Sequence, residues 1–546
     1  MISNIEASRE LPAERGSIVE MPSLSLLEGP VHIVHARVVI AVVLSAAITS
    51  CAVGPDFKSP EAPKTNAYTA GPLSAETSSA PGAGGAAQRL AAGQDIPGEW
   101  WTLFHSEALD QVVRLALAGN PTLTAARATV RQAQESLSAL SGSAVYPKVD
   151  ATGSVSRQKI SGAAFGQPDA SFSPFTLYNA SVSVTYALDF FGGARRELEA
   201  FQAQVDFERF QLEAAYLTIT SNIVTTAVQE ALLRGQIEAT REIIAAEEQQ
   251  LKVVEQQFAL GGVARTDVLA QQTQLAQTQA ILPSYEKELA SARHRLSVLT
   301  GRLPSEAGSL PEFSLAELQL PGDLPLSLPS SLVRQRPDIR ASEALLHAAS
   351  AQIGVATANM YPHINLSGSY GSEAISSSGL FKTGSTVWGL SGGLVQPLFH
   401  GGELSAKRRA AIAAFDQAAA QYRATVLQGF QNVADVLRAL EADANTLKAQ
   451  AEADSTARDS FELTQKQFRL GAVSYLSLLN AERQYQQTRL GLVQAQAARL
   501  ADTAALFQAL GGGWWNRNES TREGASRKDG SDAPSAAEAE RRGAEK

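Results

Sequence analysis

Cys51 is the only cysteine in 546 residues. With no second thiolate, neither a disulfide framework nor a cysteine-held zinc or iron–sulfur site can form. The seven histidines are scattered, and the one close pair, His32 and His35, precedes an apolar run that reads as part of a removable leader. No Gly-rich phosphate loop and no serine-hydrolase elbow occur. The "DFFGG" at 189–193 shares letters with a kinase magnesium loop, but no glycine-rich loop, paired lysine or HRD-type loop accompanies it. No nucleophile, base and oxyanion donor can be assembled, so the residues argue against an enzyme and against a bound metal or other cofactor. A net charge of −9 leaves no basic face for a nucleic-acid partner. Three methionines (Met1, Met21, Met360) are too few for a copper or silver relay, which favours soft ligands.

The place of Cys51 suggests covalent chemistry of another kind. Residues 38–50, "VVIAVVLSAAITS", form an apolar run behind Arg37 that falls short of the roughly 20 residues a spanning helix needs. Its length and flank suit a signal-peptide core over 1–50. Ile48-Thr49-Ser50-Cys51 then resembles a bacterial lipobox. That resemblance implies cleavage before Cys51, acylation of its sulfur and an N-terminus held in lipid. Each buried methylene contributes roughly 0.8 kcal/mol, so several chains give a lasting anchor. The first 36 residues are long and partly acidic for a leader, which makes Met21 or a later position a candidate start. Ala52, where some lipoproteins carry an inner-membrane retention aspartate, fits export to the outer membrane. From 51 to 98 the chain is rich in Ala, Ser, Gly and Pro and reads as a lipidated, flexible linker with little fixed structure.

The rest of the chain repeats one plan twice. "LALAGNPTLTAARATVRQAQ" pairs with "LVRQRPDIRASEALLHAASAQ", and each is followed by a Tyr-Pro, at 146–147 and 361–362. "LDFFGGARRELEA" pairs with "VQPLFHGGELSAK", and "FALGGVARTDVLAQQ" with "FRLGAVSYLSLLNAERQ". Equivalent landmarks lie from 209 (Gly192 to Gly401) to 216 (Pro121 to Pro337) residues apart. The repeats span 99–302 and 331–513, a Pro-rich connector at 303–330 wraps the middle of the molecule, and 514–546 reads as a disordered polar tail.

Each copy carries a helix that Pro147 or Pro362 stops, followed by a change of period from helical to two. Residues 148–158, 177–190, 363–373 and 386–397 read as strands with one apolar face; Val182, Val184, Tyr186 and Leu188 alternate with small and polar residues. Gly192-Gly193 and Gly401-Gly402 mark strand-to-helix junctions. The first uninterrupted helix, about 194–259, would be roughly 100 Å long. Phe415, Ala419, Tyr422, Val426, Phe430, Val433, Leu437 and Leu440 give the second a coiled-coil seam. Glycines at 261–262 and 471 turn each chain back into a second helix. The strands are long enough to cross a hydrocarbon layer when tilted, which takes about 9–11 residues. Lipid offers no partner for open-edge amides, and four strands are too few to close, so the barrel must be shared with other copies. A soluble four-stranded sheet explains poorly why strands and hairpins recur in the same order.

The lipobox, "CAVGPDF", "EWWTLF", the Tyr-Pro and Gly-Gly landmarks and the two tips resemble the outer-membrane efflux proteins, the TolC-like family, in its lipoprotein branch of NodT type, over residues 51 to about 513. The resemblance implies a mainly α fold with a membrane β-barrel contribution. It implies a homotrimer with a 12-strand barrel in outer-membrane lipid and a 12-helix periplasmic tube. It also implies a periplasmic adaptor and an inner-membrane pump of the resistance–nodulation–division class as partners, with small molecules passing through the lumen. A duct for type I protein secretion shares this plan. A periplasmic adaptor lipoprotein would have one hairpin and no duplicated membrane-length strands.

In that family the tube closes along the second tip. The matching gate residues here are Leu476, Ser477 and Asn480; the last two stand where relatives can carry aspartate, so the carboxylate ring is lost and cation attraction is expected to be weaker. The tips, expected to dock the adaptor, hold Gly261, Gly262, Thr266, Asp267 and Gly471. Asp267 reads equally as a latch residue and as an acid starting a helix. Its latch partners in relatives, a tyrosine and an arginine, are replaced by Phe468 and Val473. The closed state is therefore expected to rest on Leu476 packing and helix coiling.

Overall fold

The computed structural model describes residues 52–161, 163, 166 and 173–517. The expected leader, Cys51, part of the 161–174 loop and the tail from 518 lie outside the described residues.

Two short helices begin the first repeat. In α1 (Glu107–Gly119) Leu109, Val112, Val113 and Ala116 recur on one face and are buried, and Ser106 Oγ caps the first turn by accepting from Leu109 N–H. Asn120 caps α2 (Pro121–Val145): its Oδ1 accepts from Thr122 and Leu123 N–H, and Pro121 occupies the first turn, where no N–H is needed. Strands β2 (Lys148–Gln158) and β3 (Phe175–Leu188) form a hairpin, β1 being the short strand Arg89–Ala92 upstream. The long helix α3 (Gly193–Ala259) and its partner α4 (Arg265–Leu299) complete the repeat.

The connector supplies β4 (Asp323–Leu326) and α5 (Pro329–Gln335). The second repeat follows as α6 (Pro337–Ala358), β5 (His363–Ala374), β6 (Thr386–Val395), α7 (Glu403–Arg469) and α8 (Tyr475–Ala509). Both long helices have 67 residues and both return helices have 35, which is the duplication seen in the sequence. Pro283 lies inside α4 without ending it.

The repeats differ in their surroundings. Helix α6 packs against both α3 and α7, and buries Ile339, Leu346, Ala351 and Ile353 among others. Its counterpart α2 packs mainly on α3 and buries only Leu123. One flank of α2 is left bare.

The main core lies away from the sheet, around Trp100, which stacks on Phe507 with centroids 5.3 Å apart, and takes in Phe104, Leu296 and Phe313. Phe313 and its neighbours Leu310, Leu318 and Leu324 belong to the connector, which therefore forms core as well as linking the repeats.

The flexible linker expected at 51–98 is corrected over 52–98, which is extended but docked. Val53 N–H donates to Phe191 C=O (3.0 Å), and Asp56 pairs with buried Arg196 (2.6 Å). Phe57 stacks on His347, and Tyr68 OH donates to Ser327 C=O. Buried Arg499 donates to Gly84 C=O, Thr77 Oγ1 and Gln88 Oε1, and β1 pairs in parallel with β4. The composition is thin in apolar residues, but Ile96 joins the main core, Tyr68, Leu73 and Leu90 pack against it, and the segment satisfies its polar groups on surfaces that other elements supply. The start of the expected disordered tail is corrected likewise: Trp514 Nε1–H donates to Gln335 C=O and Asn516 Nδ2–H to Ile96 C=O.

Candidate functional site: the open sheet and the hairpin tips

The four long strands form one antiparallel sheet in the order β2-β3-β5-β6, so the β3–β5 pair joins the repeats. Directly opposed residues share a face. One face carries the rows Val149–Val184–Gly368–Leu390, Ala151–Val182–Tyr370–Trp388 and Leu188–Ile364–Leu394. The other carries Lys148–Thr185–Ser367–Ser391, Asp150–Ser183–Ser369–Gly389 and Thr152–Ser181–Gly371–Val387. On this polar face Ser367 and Ser391 hydroxyls bond at 2.7 Å, and Asn179 Nδ2–H donates to Glu373 (2.9 Å). The apolar face is bare: Leu390 is 83% exposed and Trp388 76%. Among the described residues the outer edges of β2 and β6 have no strand partner. No helix among the described residues is long and apolar enough to cross a membrane.

Each strand-to-helix junction turns on glycine. Gly192 (φ 75°), Gly401 (φ 59°) and Gly402 (φ 85°) take the left-handed conformation, and a Cβ on Gly192 would lie 2.4 Å from Ala52 Cα. Gly193 opens α3. The aspartate of "DFFGG" has a structural task that sequence reasoning missed: Asp189 accepts from Ala194 and Arg195 N–H, capping the first turn of α3. The aspartate at the first position of a Gly-Gly helix start was the available signal.

At the tips, Gly261 (φ 76°) and Gly471 (φ 73°) end the long helices in matching turns, with Gly262 N–H bonding back to Gln257 C=O and Ala472 N–H to Gln467 C=O. Asp267 accepts from Ala264 N–H (3.1 Å), the helix-start role of the two read from the sequence. Ser474 does the equivalent work on the second tip, its Oγ accepting from Ser477 N–H. Gly261, Gly262, Thr266 and Gly471 are exposed, as are Leu260 and Leu470. The tips are joined by an apolar cluster of Val254, Phe468, Tyr475, Leu478 and Leu479, against which Val263, Val268 and Val473 pack.

The first turns of α8 have two faces. Tyr475, Leu478, Leu479 and Glu482 are buried, while Leu476, Ser477 and Asn480 stand exposed together, Leu476 and Asn480 one turn apart. Behind them lies a buried polar network that sequence reasoning also missed. Glu247 Oε1 accepts from Gln274 (3.2 Å), Thr278 (3.0 Å) and Gln486 (2.7 Å); Tyr475 OH donates to Gln271, and Arg483 Nε–H to Gln274. Burial, with the Glu247 charge adding to it, pushes the Glu482 carboxyl up to about 7, and burial likewise raises the Tyr475 phenol. The described residues bring no group of His, Cys, Asp and Glu together as a metal site.

A protomer with an unclosed sheet, apolar on one side and polar on the other, above duplicated helical hairpins is one part of a membrane conduit. The chain matches the model of the "Outer membrane efflux protein" family over residues 112–302 and 328–512, and it belongs to that family. It is an outer-membrane efflux channel and not an enzyme. It is 31% identical over 438 residues to the "Pyoverdine export outer membrane protein OpmQ" of Pseudomonas aeruginosa, covering 79% of this chain and 90% of that one. It is 28% identical over 494 residues to the "Probable efflux pump outer membrane protein TtgC" of Pseudomonas putida, covering 88% and 98%. Among solved structures it resembles the outer-membrane channel OprN with a TM-score of 0.76 and 26% identity, covering 85% of this chain and all of that one. The family expected from the sequence is the one found.

Proposed function

We propose that three copies close their sheets into one 12-strand barrel whose apolar face meets lipid and whose polar face lines the lumen, with the helices continuing as a 12-helix tube. The observation that carries this is the sheet: four strands, one apolar face and two open edges. The bare flank of α2 supports the same closure, since its counterpart α6 fills the space between two long helices and a neighbouring copy's α7 would supply the second one. A protomer alone would leave both the edge amides and the helix flank uncovered.

The duct passes small molecules delivered by a periplasmic adaptor and an inner-membrane pump of the resistance–nodulation–division class. Gly261, Gly262, Thr266, Asp267 and Gly471 present the docking tips, and Leu476, Ser477 and Asn480 narrow the periplasmic end. Acylation of Cys51 holds the N-terminus in the same membrane as the barrel; the docking of Ala52 and Val53 beside Gly192 and Phe191 supports an anchor at the base of the sheet. The export and efflux relatives favour small-molecule transport over protein secretion.

The test is chemical cross-linking and gel mobility of the membrane-extracted protein, with drug susceptibility of a deletion strain carrying each candidate pump. Heat-sensitive trimers that resist carbonate extraction are expected, with restored resistance alongside one pump. A water-soluble monomer, or resistance unchanged by deletion with every pump, would end the proposal. For the anchor, intact-mass measurement should show acyl chains on the wild type and none on Cys51→Ser.

A further inference from the structure

Two buried carboxyl groups lie together where the hairpins of the two repeats pack. Glu247 of α3 is fully buried, and Glu482, two turns into α8, is 3% exposed. Each keeps one oxygen, its Oε2, buried without a hydrogen-bond partner. The other oxygen of Glu247 accepts from Gln274 and Thr278 of α4 and from Gln486 of α8. The surrounding charges leave Glu482 uncompensated. On α3, Glu242 faces Arg489 of α8 at 4.0 Å, and Arg489 Nε is itself buried and unpartnered. On α8, Arg483 opposes the effect of Glu247 on Glu482 but gives its Nε–H to Gln274. On α7, Arg458 pairs with Asp454 and sits 5.9 Å from the Tyr485 ring. On α4, Asp267 adds a negative charge felt by Tyr475, whose OH donates to Gln271. Among the described residues no hydrogen bond or ion pair joins Glu482 to a cation. Two neighbouring carboxylates with bare oxygens in a buried seam are costly when both are ionised.

We propose that Glu482 is a proton-operated latch between the repeats: protonated, it lets α8 rest against α3 and α4, and ionised, it sets a second buried negative charge beside Glu247 and drives the hairpins apart. This rests on the duct and gate proposed above and names what regulates them. The coupling is mechanical. Leu476 and Asn480 stand on the exposed side of the same turns of α8 whose other side carries Tyr475 and Glu482. A shift of those turns away from α3 and α4 breaks the Tyr475–Gln271 and Arg483–Gln274 bonds and moves the gate residues with it. The sign follows from burial. Burial, with the Glu247 charge adding to it, holds the closed-state carboxyl up at about 7, against 4.5 for an ordinary one. The closed form is favoured most below about 4.5. From there the open-to-closed ratio rises about tenfold per pH unit in each subunit and levels off near 7.

The test is conductance of the full-length oligomer in planar bilayers between about pH 4.5 and 8.5, with thermal unfolding to show that each variant is folded. The wild-type open fraction is expected to rise more than about tenfold and to level off near neutral pH. Glu482→Gln keeps the shape of the side chain but cannot ionise, so it should stay at the wild-type acid level at every pH. Glu482→Asp should keep a pH profile, and Glu247→Gln should level off at a lower pH than wild type. A Glu482→Gln profile that follows wild type, or one that is open at every pH, overturns the latch. So does a flat wild-type profile in bilayers where Leu476→Ala conducts. Bilayers in which no variant conducts at any pH overturn the duct itself, and the latch with it.

Discussion

Replacing Leu390 by arginine tests the sheet's two faces directly. Leu390 is the fifth of ten residues in β6 and shares the row Val149–Val184–Gly368–Leu390. At about 3.3 Å per residue and a tilt of about 40°, it lies roughly 10 Å from one end of a slab about 25 Å tall, near mid-membrane. An arginine there costs about 2–4 kcal/mol in each subunit, or roughly 30- to 700-fold in the folding equilibrium. Ser391 is the next residue, on the opposite face and bonded to Ser367; arginine there would point into a water-filled lumen at little cost. The comparison controls for strand propensity and charge, since the two variants add the same side chain one position apart. The assay is urea unfolding of protein folded into lipid vesicles, read by gel mobility and Trp388 fluorescence. Equal loss in both variants, or a greater loss in Ser391→Arg, would refute the assignment of faces.

Asn480→Asp should restore a carboxylate ring and shift single-channel reversal potentials toward cation preference, while Leu476→Ala should raise closed-state leakage in planar bilayers. An unchanged leak counts against Leu476 as the gate. Glu482→Gln should flatten the dependence of stability on pH. The folded carboxyl sits at about 7 against an ordinary value of 4.5, so the stability that Glu482 contributes is fullest below about 4.5 and is lost as pH rises to 7. The loss is about 3 kcal/mol from the 1.36 kcal/mol per pH unit, visible in urea midpoints between pH 5 and 8. Asn120→Ala removes the cap of α2 and the bond from Asn120 Nδ2–H to Leu299 C=O (2.8 Å), and should cost about 1–3 kcal/mol in thermal or urea unfolding.

Most of the local grammar is legible in the sequence; β3 and β6 end about two residues earlier than their patterns suggest. Strand boundaries at 148–158, the stop at Pro147, the turns at Gly261 and Gly471 and the same order of landmarks in the two halves all follow from period, proline and glycine. Those signals act between residues a few positions apart, where covalent geometry fixes which neighbours share a face. The Gly-Gly junctions were equally plain, yet the task of Asp189 was not, because a capping aspartate and a metal-binding one look alike until the helix start is seen.

Residues 52–98 were misread for a physical reason: low hydrophobicity signals disorder only when nothing else offers a surface. Here Arg196, Arg499 and β4 offer one, 140 to more than 400 positions away in the chain. The pairing of Glu247 with Gln486, the bare oxygen of Glu482 and the lone flank of α2 have the same character. By itself the sequence determined the long helices and the four long strands, how they repeat and which side of each long strand is apolar, since all three are set by near neighbours along the chain. Only the tertiary structure decided which distant side chains meet and where polar groups go unpaired, because those outcomes depend on how helices of two repeats settle against one another.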